Sequence, residues 1–158
     1  MDLANILITR RFALLLTGAA VLEAMPARAA RPVATVHKDP SCGCCNGWIA
    51  HLNDYGFPVV TRETGNMELV RTQLGVAHDL ASCHTAEIAG YVIEGHVPAA
   101  LIDRLLNERP PARGLAAPGM PQGSPGMSGV PEEYDVILFG PGQRRVYARF
   151  KGTQEIRA

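Results

Sequence analysis

Hydrophobic residues between positions 33 and 108 recur with spacings that switch between those of strands and those of helices. Gly56 and Gly75 stand where the first two helices end, and Pro98 stands at the start of the third. The order β-α-β-α-β-β-α predicts a mixed α/β fold. The predicted elements are strand 33–37, helix 43–55, strand 57–61, helix 67–74, a hairpin of strands 85–88 and 91–94 around Ala89-Gly90, and helix 99–108.

A long Pro/Gly/Met segment without periodicity follows, from residue 109 to residue 131. It contains Met120 and Met127 among closely spaced prolines and glycines. Loops of this length inside a compact domain are usually functional or disordered. Two further β-rich runs, 134–139 and 145–150, flank Pro141-Gly142 and predict a C-terminal β-hairpin.

The N-terminus has the pattern of a cleavable export signal. Arg10-Arg11 precede an apolar run over 12–22 that is shorter than the roughly 20 residues needed to span a bilayer. Ala27-Arg28-Ala29 fits a cleavage site, so we expect a signal peptide over 1–29 and one domain over 30–158. The paired arginines resemble a twin-arginine motif but also occur in Sec signals, which leaves the export route open.

The net charge and the predicted export together limit the range of possible functions. The full chain carries 15 basic and 15 acidic residues, and it stays close to neutral without the signal. Because the chain is close to neutral and has no basic run, nucleic acid and anionic membranes are not expected as partners. Export predicts a periplasmic location, where cysteines tend to oxidise. Cysteines there must be paired with each other, bound to metal or used in thiol exchange.

Three of the four cysteines, Cys42, Cys44 and Cys45, lie within four consecutive positions. Neighbouring side chains at the start of a helix point in different directions, so they cannot all be core cysteines. The cluster therefore predicts a soft-metal site, a redox site, or both. Its place between the first strand and the first helix sharpens the fold prediction to a thioredoxin-like domain. The fourth cysteine, Cys83, is followed directly by His84.

Crowded thiolates favour Cu(I) over zinc, because thiolate ligands can bridge several soft ions. A structural zinc site would use paired cysteines or a Cys2His2 set. The thioethers of Met120 and Met127 are also soft ligands, although they fit equally well as packing residues. His84 is the better placed histidine because it neighbours Cys83, and His96 is either a ligand or a hydrogen-bonded loop histidine. The other histidines are His37, a remote candidate, and His51 and His78, both expected to face solvent.

Two other hypotheses stay open at this point. Cys42 and Cys45 have the CxxC spacing of a thiol–disulfide oxidoreductase, with their thiolates stabilised at a helix N-terminus and Cys83 as resolving thiol. Alternatively, two disulfides among the four cysteines would simply crosslink an ordinary binding domain. The oxidoreductase hypothesis does not need the third clustered cysteine. Only the copper hypothesis needs the methionine-containing segment.

Four segments, taken in order, resemble the CopG-type copper-resistance proteins, a family of small exported metal-binding proteins long catalogued as a domain of unknown function. The resemblance covers nearly all of the chain beyond the export signal. The matching segments are Pro40-Ser41-Cys42-Gly43-Cys44-Cys45 with Trp48, Leu80-Ala81-Ser82-Cys83-His84-Thr85, Gly90 to Ala99, and Gly114 to Met127.

The resemblance implies a thioredoxin-like fold in the periplasm, a part in copper resistance, and binding of more than one Cu(I) ion per chain. It also implies contact with other periplasmic copper-handling proteins and some redox activity toward copper. The residues carried over as metal ligands are Cys42, Cys44, Cys45, Cys83, His84, His96, Met120 and Met127. One departure from thioredoxins matters: Cys83-His84-Thr85 stands where they carry a cis-proline that helps to present protein substrates.

Overall fold

Eight strands form one mixed sheet in the computed structural model, which describes residues 30–157. The predicted export signal, 1–29, lies outside the described residues. Within 30–157, no helix is long and apolar enough to cross a membrane. The elements are β1 (Ala34–Lys38), α1 (Gly43–Tyr55), β2 (Val59–Glu63), α2 (Met67–Leu74), a 3-10 helix (His78–Leu80), β3 (His84–Ile88), β4 (Tyr91–Glu94), α3 (Ala99–Glu108), β5 (Gly114–Ala116), β6 (Glu133–Gly140), β7 (Gln143–Lys151) and β8 (Gln154–Ile156).

The sheet has the strand order β2-β1-β3-β4-β5-β6-β7-β8. β1 pairs in parallel with β2 and antiparallel with β3, and β3 pairs antiparallel with β4. The predicted mixed α/β class and the predicted order of the first seven elements are confirmed. The finer assignment of a thioredoxin-like domain stays a prediction.

Helix α1 begins and ends where its sequence predicts. Cys42 is the N-cap residue, with extended backbone angles, and Gly56 ends the helix in the left-handed conformation that glycine adopts most easily. Trp48 and Leu52, one turn apart, are fully buried against the sheet. Burial of this apolar face holds the helix start, and therefore the cysteines, at one edge of the core.

The hairpin between β3 and β4 turns at Ala89 and Gly90, which both have positive φ angles. This is the turn geometry that matches the twist of the flanking strands, as the two-residue spacing predicts. The C-terminal hairpin is also confirmed, since β6 and β7 pair around Pro141-Gly142. Its strands are longer than predicted, and a further strand, β8, pairs antiparallel with β7.

The prediction of one long Pro/Gly/Met loop over 109–131 is wrong in part. Residues Gly114–Ala116 form β5, which lies parallel to β4 and antiparallel to β6. This strand is too short to show a periodic pattern, and its partners are distant in sequence. A side chain at Gly114 would overlap the backbone of Val92, so glycine permits this close strand pairing.

The remainder of the segment packs directly on the start of α1. A Cβ atom at Gly47 would lie 2.8 Å from the carbonyl oxygen of Gly126, and Gly126 itself has a φ of +83°. Gly119 donates a backbone hydrogen bond of 3.0 Å to Ala81, and its carbonyl accepts one from the hydroxyl of Ser82. The methionine-containing stretch is therefore fixed to both cysteine-bearing segments.

We expect Gly47→Ala to destabilise the protein although alanine is the better helix former by roughly 0.5–1 kcal/mol. The added methyl group would collide with the Gly126 backbone, and overpacking of this kind costs about 1–3 kcal/mol. Gly43→Ala in the same helix is the matched control, because nothing lies within 4 Å of a Cβ atom there. Urea denaturation measures both changes. A Gly47→Ala protein at least as stable as the Gly43→Ala protein would contradict the packing.

Candidate metal centre

The cysteines of the Cys42-Gly43-Cys44-Cys45 motif occupy the first turn of α1 and the N-cap position before it. Cys42 and Cys45 form a disulfide with their Cα atoms 5.5 Å apart. Cys44 is a free, half-buried cysteine whose Sγ lies 3.6 Å from the Sγ of Cys42. A thiol in this place can exchange with the disulfide or join its reduced sulfurs around a metal ion.

Cys83 faces this turn from the residue before β3. Its Sγ lies 3.6 Å from the Sγ of Cys44, and its carbonyl oxygen lies 3.7 Å from the Sγ of Cys45. The four cysteine sulfurs all lie within 4.8 Å of one another. Because Cys44 and Cys83 are both free, the second of two structural disulfides is absent from the described chain.

Two buried histidines lie against the other side of Cys83. Its Sγ is 3.2 Å from Nδ1 of His84 and 3.1 Å from Nε2 of His96. Both imidazoles are fully buried, and their rings meet edge to face with centroids 4.9 Å apart. Cys83, His84 and His96 thus form a second set of metal-ligating atoms that shares one sulfur with the first.

A backbone carbonyl sets the orientation of His96. Its Nδ1 lies 2.7 Å from the carbonyl oxygen of Pro125, which can only accept, so Nδ1 carries the proton. Nε2 then has a free lone pair directed at Cys83. A histidine ligand typically donates its other ring N–H to a carbonyl or carboxylate in this way. His96, which the sequence ranks behind His84, is therefore oriented as a ligand.

The ring of His84 is held by packing instead. It lies against the indole of Trp48 with ring centroids 4.3 Å apart, and its Nε2 is buried without a hydrogen-bond partner. The indole Nε1 of Trp48 donates a 2.9 Å hydrogen bond to the carbonyl of Val97. Trp48 thereby ties α1 to the residues beside His96.

Burial determines the protonation of these groups. It raises the pKa of the Cys83 thiol to about 12, with the neighbouring sulfur of Cys44 adding to the effect. Burial lowers the pKa of His84 to about 3, with further lowering by His96, and it also lowers the pKa of His96. At neutral pH the metal-free site therefore holds a protonated Cys83 and two neutral imidazoles, which are free to donate to a metal.

A buried ion pair on the other face of the sheet holds the chain just before Cys83. Glu94 accepts hydrogen bonds of 2.7 Å from the Ser82 backbone N–H and of 2.5 Å from the Thr85 hydroxyl. Arg71 donates a 3.1 Å hydrogen bond to the Ser82 carbonyl and lies 3.5 Å from the Glu94 carboxylate. Both backbone groups of Ser82 are thus fixed by charged side chains.

Sequence reasoning missed this pair, because a glutamate at a strand end looks like an ordinary exposed residue. Its position in Glu94-Gly95-His96, two residues before a candidate ligand, was the only available signal. Lys38 was missed for the same reason. It is 2% exposed at the end of β1, and its ammonium lies 3.5 Å from the Pro40 carbonyl, just ahead of the cysteine motif.

The two methionines flank the point where the long segment crosses the site. Met120 is 54% exposed, and Met127 is half-buried directly after Gly126. Pro125, from the same stretch, is the partner of His96. The segment therefore reaches the centre through its backbone, and a ligand role for either sulfur stays a prediction.

The remaining histidines lie apart from the centre. The prediction that His51 faces solvent is wrong in part, because its side chain is half-buried and its Nε2 accepts a 3.0 Å hydrogen bond from the Ala99 backbone at the start of α3. The interaction satisfies one of the backbone N–H groups that lack a partner at the start of a helix. The spacing of residues in the sequence does not reveal such an interaction. His78 is exposed in the 3-10 helix, and His37 lies 3.2 Å from Glu87 on the sheet.

Two solved structures are similar to this chain in sequence and fold. Two solved structures of a copper resistance protein CopG, form 1 and form 2, are each 43% identical to this chain with a TM-score of 0.72. Form 1 matches over 77% of this chain and 99% of its own, and form 2 over 76% and 98%. This chain belongs to the CopG copper-resistance family. Its residues 80–127 also match the family described as protein of unknown function, DUF411. No curated protein matches the chain.

Membership of the CopG family agrees with the chemistry of the centre. Thiol and imidazole ligands converge from three segments, at 42–45, 83–84 and 96, while oxygen ligands are absent from both ligand sets found within 30–157. Such a soft set suits copper better than magnesium or calcium, which prefer oxygen. The cluster therefore fits copper binding in a member of a copper-resistance family.

We expect Glu94→Ala to lower the free energy of unfolding by about 3–5 kcal/mol, because it leaves Arg71 as a buried charge without its partner. Glu87→Ala, on the neighbouring strand, removes an exposed carboxylate paired with His37 and is expected to cost less than about 1 kcal/mol. Urea denaturation measures both. Equal losses would show that the buried pair does not hold the Ser82 segment.

Proposed function

We propose that the protein binds several Cu(I) ions in the periplasm and thereby contributes to copper resistance. One observation carries the proposal: four cysteine sulfurs from two segments far apart in sequence lie within 4.8 Å of one another. Sulfurs this close can each bridge two ions, so one group of four can hold a polynuclear cluster. The name of the related CopG structures, copper resistance protein, supports copper as the ion.

Cu(I) fits the centre better than zinc for two reasons. Thiolates are soft ligands, and Cu(I) is the softer ion. A structural zinc ion takes four ligands in a closed tetrahedron, whereas Cys42, Cys44, Cys45 and Cys83 have two histidines beside them. Six possible donors around one zinc would leave two unused in a buried place. Several copper ions would use them all.

Full copper loading requires reduction of the Cys42–Cys45 disulfide, because a disulfide sulfur is no longer a thiolate ligand. A thiol reductant that supplies two electrons and two protons, and is itself oxidised to a disulfide, converts the bond into two thiols. Cu(I) binding then releases the protons. The protein therefore has a loaded thiolate state and an oxidised state with fewer donors. The predicted export signal supports the periplasm as the compartment in which these states interconvert.

A second candidate function, thiol–disulfide exchange, is favoured by the same disulfide. Cys44 stands 3.6 Å from Cys42 and 3.6 Å from Cys83, close to the sulfur that it would attack. In that function Cys83 would be the resolving thiol, but burial raises its pKa to about 12 and so disfavours the thiolate that this step needs. Copper binding is therefore the better supported function.

We expect reduced protein, titrated with Cu(I) without oxygen, to saturate above one ion per chain. Competition with a coloured Cu(I) chelator measures the end point. Saturation at one ion or fewer would contradict the polynuclear site. The same titration after air oxidation is expected to show lower capacity that returns on reduction, since disulfide formation removes thiolate ligands.

Cys44→Ser is expected to remove most of the copper capacity while leaving the fold intact, because Cys44 is the sulfur between Cys42 and Cys83. Copper per chain and the unfolding midpoint are measured on the same sample. Ser41→Ala serves as control, since its hydroxyl bonds only Asp39 in an exposed turn. Normal copper loading by Cys44→Ser, together with loss of insulin-reducing activity, would instead support the oxidoreductase function.

Copper affinity should rise with pH. Below its pKa of about 12, Cys83 must lose a proton when it binds Cu(I), so this residue alone contributes about a tenfold gain in affinity per pH unit. The gain continues over the whole neutral range, because that range lies below the pKa. Chelator competition at several pH values gives the slope, which Cys83→Ser should reduce by about one proton. An affinity independent of pH would contradict binding through Cys83.

A further inference from the structure

A surface cavity of about 660 Å³ lies on the side of the sheet away from α1 and α3. Leu80 and Phe139 line it, and both belong to a small buried cluster that is separate from the main core. Leu138, the neighbour of Phe139 in β6, belongs instead to the core that contains the buried residues of α1 and α3, because alternate side chains of a strand point to opposite faces. The volume lies within the range of small-molecule sites in proteins.

Arg113, which also lines the cavity, is held at three points. Its backbone N–H donates a 2.8 Å hydrogen bond to the Phe139 carbonyl, and its carbonyl accepts one of 2.9 Å from the Val92 backbone. Its side-chain Nε donates a 2.7 Å hydrogen bond to the carbonyl of Leu74 at the end of α2. The guanidinium is therefore fixed beside the cavity before any ligand binds, which lowers the entropy lost on binding.

The charge of Arg113 is not balanced by a neighbouring carboxylate. Arg113 is half-buried, and it forms no ion pair within 30–157. Arg144, the other arginine at the cavity, is already paired with Asp79 at 2.6 Å. The last carbonyls of α2 favour a cation here, but the bond to them uses only the Nε–H of Arg113. The two Nη groups stay available for an anion.

We propose that this cavity binds a small monocarboxylate with an apolar body. The carboxylate lies on the guanidinium of Arg113, and the apolar body lies against Leu80 and Phe139. This site is distinct from the metal centre, because none of its lining residues belongs to either set of metal-ligating groups. The inference therefore does not depend on the proposed copper function.

The charge and the lining of the cavity select this class of ligand. A guanidinium presents paired N–H donors that match the two oxygens of a carboxylate. One unpaired positive charge balances a monoanion, whereas a phosphate monoester carries about −1.5 to −2 charges at neutral pH. An inorganic anion would leave the apolar lining in contact with water, so the ligand needs an apolar part as well as its charge.

Titration of the oxidised, metal-free protein with octanoate tests the proposal. Octanoate combines one carboxylate with an alkyl chain, and we expect one saturable site with a Kd of about 1 mM or tighter by calorimetry. Acetate lacks the apolar body and 1-octanol lacks the charge, so each should bind about tenfold more weakly or less. In NMR spectra of the ¹⁵N-labelled protein, the amide shifts that octanoate changes should be centred on residues 75–80 and 139–144.

Two variants test the two halves of the site. Arg113→Gln should weaken octanoate binding by about tenfold or more, because it removes the charged partner. Ala77→Phe should weaken it as strongly by filling the cavity, and it should leave the unfolding midpoint unchanged, because Ala77 is exposed and has an extended backbone that any residue adopts. Ala50→Phe, at an exposed position of α1, is the matched control and should bind octanoate like the wild type.

Three results would overturn the proposal. The first is octanoate binding by Arg113→Gln or Ala77→Phe that equals binding by the wild type. The second is no saturable binding by the wild type together with a lower unfolding midpoint of Arg113→Gln, which would make Arg113 only a cap of α2. The third is association with phosphatidylglycerol vesicles that depends on Arg113 while octanoate does not bind, which would assign this surface to a lipid membrane.

Discussion

The contact between the sulfurs of Cys44 and Cys83, 3.6 Å apart, joins two segments that are 39 residues apart in the sequence. One segment is the start of α1 and the other is the chain entering β3. The sheet makes this contact possible, because β1 leads into α1 and pairs directly with β3. All four cysteines meet only if that pairing and its register are correct, since a slip by one residue would turn alternate side chains to the opposite face.

Buried charge is the second constraint on the centre. Glu94 and Arg71 are held within the fold and contact each other, a pairing that tolerates the loss of neither partner. A buried ion pair is weak evidence for net stability, so the importance of this pair lies in the hydrogen bonds that it makes to its neighbour. Here the neighbour is Ser82, whose N–H and C=O are both engaged. Rigidity at Ser82 is transmitted directly to the next residue, Cys83.

Local signals were sufficient to predict the helices and the tight hairpins. Gly56, Gly75 and the Ala89-Gly90 turn each impose a backbone conformation that can be inferred from two or three residues. β5 could not be inferred in this way, because three residues between two distant strands contain no periodic pattern.

The same distinction applies to the site. The cysteine cluster was evident from spacing, and residue type pointed to His84 and His96. The orientation of His96 depends on Pro125, which lies 29 residues further along the chain and carries no chemical signal of its own. The buried Glu94–Arg71 pair also became evident only when the strands and α2 were assembled.

The bond between His96 and Pro125 connects the metal-binding side chains to the methionine-containing segment. Gly126, the next residue, lies on the backbone of Gly47 and Trp48 in α1, so the segment touches both sides of the centre. Movement of this segment away from α1 would break the Pro125 bond and free the ring of His96 to turn. Because that bond selects which nitrogen carries the proton, the position of the segment sets the readiness of one ligand. Glycine stands at the contacts between this segment and α1, Gly47 and Gly126, because a larger side chain at either position would force the segment away from the helix.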